Sequence, residues 1–197
     1  MPRNLRSRER SLFDLEPVSI FEKLASVLRP LDAPLVESLL GLAIEIAREG
    51  REGRKIGTIF MLGDADGVLR HSRPLILDPL AGHPAAARRV DDKNLRGTIK
   101  ELAQLDGAFV VARSGIFVAS CRYLDAKASV VDLPFGLGAR HMAAAAMSKV
   151  TASIGIVVSE TATVRIFQKG HLLAEIVCAP KPRLQKLVIP LVAKLRP

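Results

Sequence analysis

Two stretches restrict the fold more than anything else in the chain. "GAFVVARSGIFVASCRYL", residues 107–124, and "TVRIFQKGHLLAEIV", residues 163–177, are each a pair of apolar runs broken by a glycine turn. Short runs rich in Val, Ile and Phe read as strands. Ser114-Gly115 and Lys169-Gly170 place a turn between the members of each pair, so each pair predicts an antiparallel hairpin. Helix-like segments are interleaved with these strands, and a strand–helix–strand order calls for crossover connections. The combination predicts the α/β class: a single domain with a mixed central β-sheet flanked by helices, not a purely parallel sheet.

The remaining segments fit that frame. "SIFEKLASVL" and "PLVESLLGLAIEIAREG" read as helices; in the second, Leu35, Leu39, Leu42 and Ile46 recur at helical spacing, with Pro34 in the first turn and Gly50 at the exit. "KIGTIFMLGD" changes period and reads as a buried strand. "VLRHSRPLIL" reads as a second strand or a loop, and Pro74 keeps it from a central position. "DPLAGHPAAARRVDD" is expected to be irregular, "NLRGTIKELAQL" to be a helix despite Gly97, and "DAKASVVDLPFGLG" to be a loop. An alanine-rich helix over residues 139–150 and a strand, "SIGIVVSE", come next. The domain is expected over residues 19–178, between a basic N-terminal arm (1–18) and a basic C-terminal segment (179–197).

Composition narrows the function classes. Lysine and arginine number 29 against 20 acidic residues, a net charge of +9 that favours anionic partners. No apolar run reaches the roughly 18–20 residues that span a bilayer. The basic start "MPRNLRSRERSLF" lacks the apolar segment of a secretory signal, so the expectation is a soluble, cytoplasmic chain. Cys121 and Cys178 are too few for a disulfide framework or a zinc site and read as buried thiols. One Tyr and no Trp argue against base-stacking recognition of nucleic acid. Residues 181–197 hold five basic residues and no acid, but Pro190 interrupts their pattern, which argues against a helix lying on a membrane.

Three polar clusters interrupt apolar elements. In "LDGAFVV", Asp106 stands where a helix hands over to a strand; a carboxylate there suits a divalent metal or a hydroxyl proton, and Gly107 and Ala108 let a flat ligand approach the backbone. A glycine turn with a solvated Asp is the plainer reading of those three residues alone. In "GLGARH", Gly138 precedes a helix whose unpaired N–H groups suit an anion, and Arg140 adds a planar fork for phosphate. Positive charge in a first turn opposes the helix dipole, so an anion nearby would explain it; a surface helix with a solvated first turn explains it equally well. In "IVVSE", Ser159 and Glu160 end an apolar strand, where ligands gather in open α/β sheets, or where an ordinary strand end meets solvent. His71, His83 and His171 lack metal-ligand spacing.

The order of the clusters is more telling than any one of them. Asp-Gly-Ala before a strand, Gly-x-Arg-His opening an alanine-rich helix, and Val-Ser-Glu ending a strand together resemble the diadenylate cyclase family, the nucleotide-binding catalytic domain also found in DNA-integrity scanning proteins. The similarity runs from about Gly57 to Phe167. It implies condensation of two ATP into cyclic di-AMP with loss of two pyrophosphates, by a homo-oligomer whose active sites face each other. It also implies a divalent metal, Mg or Mn. Carried onto this sequence, Asp106 would bind metal and activate the 3′-hydroxyl, Gly107 and Ala108 would make room for the nucleotide, and Arg140 and His141 would grip the phosphates with Gly138 at the helix start. Ser159 would contact the triphosphate, Glu160 would serve the metal, and Leu124 would touch adenine.

Three departures temper this. The family commonly has Gly-Thr-Arg-His-Arg, whereas Ala139 and Met142 stand at the threonine and second arginine. Thr161 also stands where a second acidic residue is frequent. A charge-assisted contact is worth about 1.5–3 kcal/mol, so losing one costs roughly tenfold or more. Lys149 and Arg165 are candidates to compensate. The alternative function is therefore a catalytically weakened ATP-binding module of the same fold.

Overall fold

The computed structural model describes residues 22, 24, 26–28, 31–134, 136–178 and 183–187. Its centre is an 8-stranded mixed sheet: β1 (Thr58–Gly63), β2 (Ser72–Pro74), β3 (Ala108–Ala112), β4 (Phe117–Leu124), β5 (Ile154–Ser159), β6 (Thr163–Gln168), β7 (His171–Val177) and β8 (Arg183–Leu187). The spatial order is β2-β4-β3-β1-β5-β6-β7-β8. β1 and β3 run parallel and every other pair is antiparallel. Both expected hairpins form, β3–β4 and β6–β7. The parallel pair needs a crossover, and the chain between β1 and β3 supplies it with α2 (Ala65–Arg70), the short edge strand β2 and α3 (Lys93–Leu102).

Period-2 alternation sorts the strands onto two cores. Phe60 and Leu62 of β1, with Phe109, Val111, Ile156 and Val158, face one layer; Ile59 and Met61, with Val110 and Val157, face the other. The first layer is covered by α1 (Ala33–Glu49), whose Leu35, Leu39, Leu42 and Ile46 are all buried, as their spacing predicts. Phe60, Phe109 and Phe117 form its aromatic centre, with ring centroids 5.2–6.2 Å apart. α3 is fastened to α1 by ion pairs from Arg96 to Glu45 at 2.7 Å and from Lys100 to Glu45 and Glu49 at 2.9 Å each.

The second layer is covered by α4 (Ala139–Val150), and here the alanine run finds its reason. Ala144, Ala145 and Ala146 are fully buried. A Cβ on Gly155 of β5 would lie 3.0 Å from both Cβ and O of Ala144. Small residues on both partners let helix and sheet approach closely.

Three segments differ from expectation. "VLRHSRP" does not begin as a strand: α2 covers residues 65–70, and only Ser72–Pro74 pair, at the sheet edge, where Pro74 is tolerated. The cause is Asp64, whose carboxylate accepts the Gly67 N–H at 3.0 Å and caps the helix. The sheet also runs past residue 178, because Arg183–Leu187 add to β7. A short 3-10 turn, Ala85–Arg88, orders part of the segment expected to be irregular. The arm at 1–18, half of "SIFEKLASVL", and residues 179–182 and 188–197 lie outside the described residues, although Leu24 and Leu28 are buried in the first core. Cys121 and Cys178 are free and buried, and burial pushes both thiols up, Cys178 to about 11.

Candidate active site

The three motif clusters converge at one end of the sheet. Asp106 precedes β3, Arg140 opens α4, and Glu160 follows β5, which runs opposite to β1 and β3. Antiparallel pairing thus brings the end of β5 to the same edge as the beginning of β3. Arg140 lies between the two carboxylates, with Nη2 3.6 Å from Asp106 Oδ1 and Nη1 3.2 Å from Glu160 Oε1. All three side chains are exposed, Asp106 most at 80%.

Beside them opens a cleft of about 790 Å³, large enough for a nucleotide. Asp106, Gly107, Ala108 and Leu124 line it, together with Ala139 and Arg140 from the first turn of α4. Gly107 is required twice over. Its φ is +106°, and a Cβ there would lie 2.6–2.8 Å from the backbone of Cys121 and Arg122. The crowding comes from a bulge in β4, where Cys121 itself takes φ +52° and the register with β3 shifts. Asp78 secures that bulge, accepting the Ser120 N–H at 3.1 Å and the Ser120 hydroxyl. Gly138 is extended, with open space where a Cβ would point, so the turn does not depend on its freedom. No side chain caps the start of α4, which leaves its first N–H groups for solvent or an anion.

Four of the expected site residues, Gly138, His141, Ser159 and Glu160, do not line the cleft, although Glu160 reaches Arg140 at its rim. Ser159 turns to Thr161, with its Oγ 3.0 Å from the Thr161 hydroxyl. His141 is 7% exposed and packs edge-on against Phe167 on the sheet side of α4. Its Nε2 faces Arg165 Nη1 at 3.1 Å, and Arg165 Nε donates to Glu175 Oε2 at 2.5 Å. Burial, then the positive charges of Arg165 and Arg140, lower the imidazole to about 4 against an opposing pull from Glu175. Arg165 is thereby engaged beneath the helix, and Lys149 closes the far end of α4, so neither replaces the missing second arginine at the cleft. Met142 and Ala139 do line it, so the two departures within the Gly-Thr-Arg-His-Arg pattern fall on the cleft wall.

Motif reading missed Gly57 and Glu175, and it named Arg165 only as a stand-in for the missing second arginine, not as the partner of His141. A Cβ on Gly57 would lie 2.8 Å from Arg140 Nη1, so glycine there makes room for the guanidinium. Part of the signal for the other two was available: Arg165 and Glu175 are charged residues in apolar strands, on either side of the Lys169-Gly170 turn, and a register shift in the hairpin between Ile166 and Phe167 brings them into direct pairing.

A divalent cation is compatible with this donor set. Among the described residues no cluster of three or more His, Cys, Asp or Glu side chains could hold a metal by itself. Two hard carboxylates drawn to one guanidinium suit Mg or Mn arriving with phosphate oxygens, which is how such ions are commonly held.

Comparison with known proteins agrees with the motifs. Residues 45–172 match the family described as DAC: DisA bacterial checkpoint controller nucleotide-binding. A diadenylate cyclase of Methanocaldococcus jannaschii is 47% identical over 141 residues, 71% of this chain and 44% of that protein. One from Haloferax volcanii is 39% identical over 146 residues, 74% of this chain and 53% of that protein. The chain therefore spans about half the length of these relatives. The crystal structure of DacA from Staphylococcus aureus shares 20% identity over 71% of this chain and 84% of that one, with a TM-score of 0.45. With residues 45–172 of the chain matching the family and Asp106, Arg140 and Glu160 brought together beside one cleft, this chain belongs to the DAC family of nucleotide-binding domains, that of diadenylate cyclases.

Proposed function

We propose that the chain condenses two ATP molecules into cyclic di-AMP with release of two pyrophosphates, working in the cytoplasm as a homo-oligomer whose active sites face each other. The observation that carries this reading is the convergence of Asp106, Arg140 and Glu160 beside a nucleotide-sized cleft. The 3′-hydroxyl of one nucleotide attacks the α-phosphorus of the other. A P–O bond forms there, the bond to the β-phosphate breaks, and pyrophosphate leaves. Repetition in the opposite sense closes the ring. Such a transfer depends on alignment and charge neutralisation more than on covalent help.

In this reading Asp106 orients the 3′-hydroxyl and takes up its proton, while Arg140 and the uncapped start of α4 hold the phosphates. Leu124 and the Gly107–Ala108 wall receive the base and sugar. A divalent cation held by Asp106 and Glu160 would supply further neutralisation of phosphate charge. Ser159 is a candidate contact for the triphosphate once its bond to Thr161 opens.

The test is incubation of the purified protein with ATP and Mg or Mn, followed by separation of the nucleotides. Cyclic di-AMP and pyrophosphate in a 1:2 ratio are expected. ATP binding without product, at every metal and protein concentration tried, would replace this reading with a second one, a weakened ATP-binding module. That alternative has its own support in Ala139 and Met142, which leave one hydroxyl and one cation fewer on the cleft wall.

A further inference from the structure

The cleft wall made by β4 carries a cation that the reading above leaves unused. Arg122 lines the cleft, and no carboxylate among the described residues pairs with it. The two acids that line the same cleft are taken: Asp106 lies 3.6 Å from Arg140, and Asp125 lies 3.8 Å from Arg73. One edge of the Arg122 guanidinium is spent on the protein. Its Nε donates to Ser72 Oγ at 3.1 Å. Its Nη2 donates to the carbonyls of Ser72 at 2.6 Å and Leu69 at 3.4 Å, at the corner where α2 gives way to β2. A guanidinium presents its donors in one rigid plane, so these bonds fix the whole group. Nη1, on the other edge, meets no partner among the described residues and is not sealed in the core. Arg122 stands opposite Ala108 in the β3–β4 ladder, and it shares its face of β4 with Leu124. It therefore belongs to the part of the cleft that Gly107, Ala108 and Leu124 form, whereas Arg140 belongs to the acidic end.

Resting on the nucleotide-binding reading of this cleft, we propose that Arg122 is a specificity-determining contact, whose Nη1 N–H donates to a lone pair on the nucleoside: a ring nitrogen of the purine or the ribose 2′-oxygen, not a phosphate. A guanidinium has donors and no acceptor. Held in place by Ser72 and Leu69, it accepts only a ligand that offers a lone pair at that point. A site built around such a bond rejects an analogue that lacks the acceptor, because the donor is then left without a partner. The tie to α2 and β2 is the structural half of the same residue, and it is what aims the free edge.

The experiment is a cycle between the residue and the ligand atom. The reference ligand is 3′-deoxy-ATP with Mg, which lacks the attacking hydroxyl and so binds without condensing. Its 1-deaza, 3-deaza, 7-deaza and 2′-deoxy forms each remove one candidate acceptor. Against wild type, one of the four should bind about tenfold more weakly than the reference, the worth of one hydrogen bond to a charged group. Arg122→Met should weaken the reference by a similar factor and should cost that one analogue nothing more, since both changes remove the same bond. Equal losses for the reference and all four analogues would make Arg122 a phosphate contact or a structural tie, and would overturn the proposal. So would a wild type indifferent to every analogue, or a variant that binds the reference as wild type does. Should Arg122→Met not fold, Arg122→Lys keeps the stem and the charge without the planar fork, and it too should abolish the selectivity. Failure to bind any of these nucleotides would end the nucleotide reading itself, whereas binding without the selective loss would end this proposal alone.

Discussion

Arg140 and His141 are neighbours in sequence and anchor two different trios of charged-type residues. On the cleft side, Asp106, Arg140 and Glu160 are exposed, and their ion pairs are long, at 3.6 and 3.2 Å. On the sheet side, His141, Arg165 and Glu175 are enclosed, and the Arg165–Glu175 pair is short, at 2.5 Å with both side chains under one-fifth exposed. Exposed pairs contribute about 0–1 kcal/mol and rearrange readily. Enclosed pairs are costly to break, because the survivor is left charged without a partner. The first trio is suited to exchanging partners when a ligand arrives; the second is suited to staying still while it does.

The sharpest way to break that contrast is to remove Asp106. Asp106→Ala should lower cyclic di-AMP formation by about 10²–10⁴-fold, the usual worth of a positioned acid or base. Thermal stability should stay within about 0.5 kcal/mol of wild type, as for other exposed positions. Loss of activity together with loss of fold would assign Asp106 to architecture.

The next effect separates the two glutamates. Glu175→Ala leaves the Arg165 charge enclosed and should cost on the order of 2–3 kcal/mol in urea unfolding. Glu160→Ala should cost less than about 0.5 kcal/mol. Equal costs would mean that the two trios do not differ in the way their burial indicates.

Much of this architecture was legible in the sequence, and the failures have local causes. The hairpins, α1 and the alanine helix follow from period and turn chemistry, which act over a few residues. α2 was obscured because it is only six residues long and its Asp64 cap lies just upstream, at the end of the segment read as a strand. β8 falls in a segment whose basic composition suggests a tail, and its place is set by the exposed edge of β7. At the site, residue types and order pointed to Asp106, Arg140 and Glu160. Nothing local says which way His141 faces, since that depends on where β6 comes to lie under the helix. Arg165 and Glu175 stand out as charges in apolar strands, but their pairing depends on a register shift in the hairpin that the turn alone does not reveal.

His141 gives the two trios a pH signature. Its folded value, about 4, lies below the ordinary 6.5. Between those values the unfolded chain binds more protons than the folded one, so stability rises with pH across that window and falls as the solution is acidified through it. The full difference corresponds to about 3 kcal/mol, most of it lost by about pH 4.5. Urea unfolding at pH 7.5 and pH 4.5 should show that loss in the wild type and a smaller one in His141→Gln. The same acid dependence in both would remove His141 as its source.

The smallest effect tests the cleft wall. Met142 lines the cleft two residues into α4 beyond Arg140, where a cation opposes the helix dipole unless an anion is present. Met142→Arg should therefore do little for, or slightly weaken, the free protein. Its ATP affinity should rise up to about tenfold, the value of one added charge-assisted contact. The gain should shrink as salt is raised, because the site is open to solvent. The same substitution on the enclosed side has no equivalent, since α4 there is sealed by Ala144, Ala145 and Met147. An ATP affinity unchanged by Met142→Arg would mean that the phosphates lie away from this wall, and would leave Arg140 and the helix start to hold them.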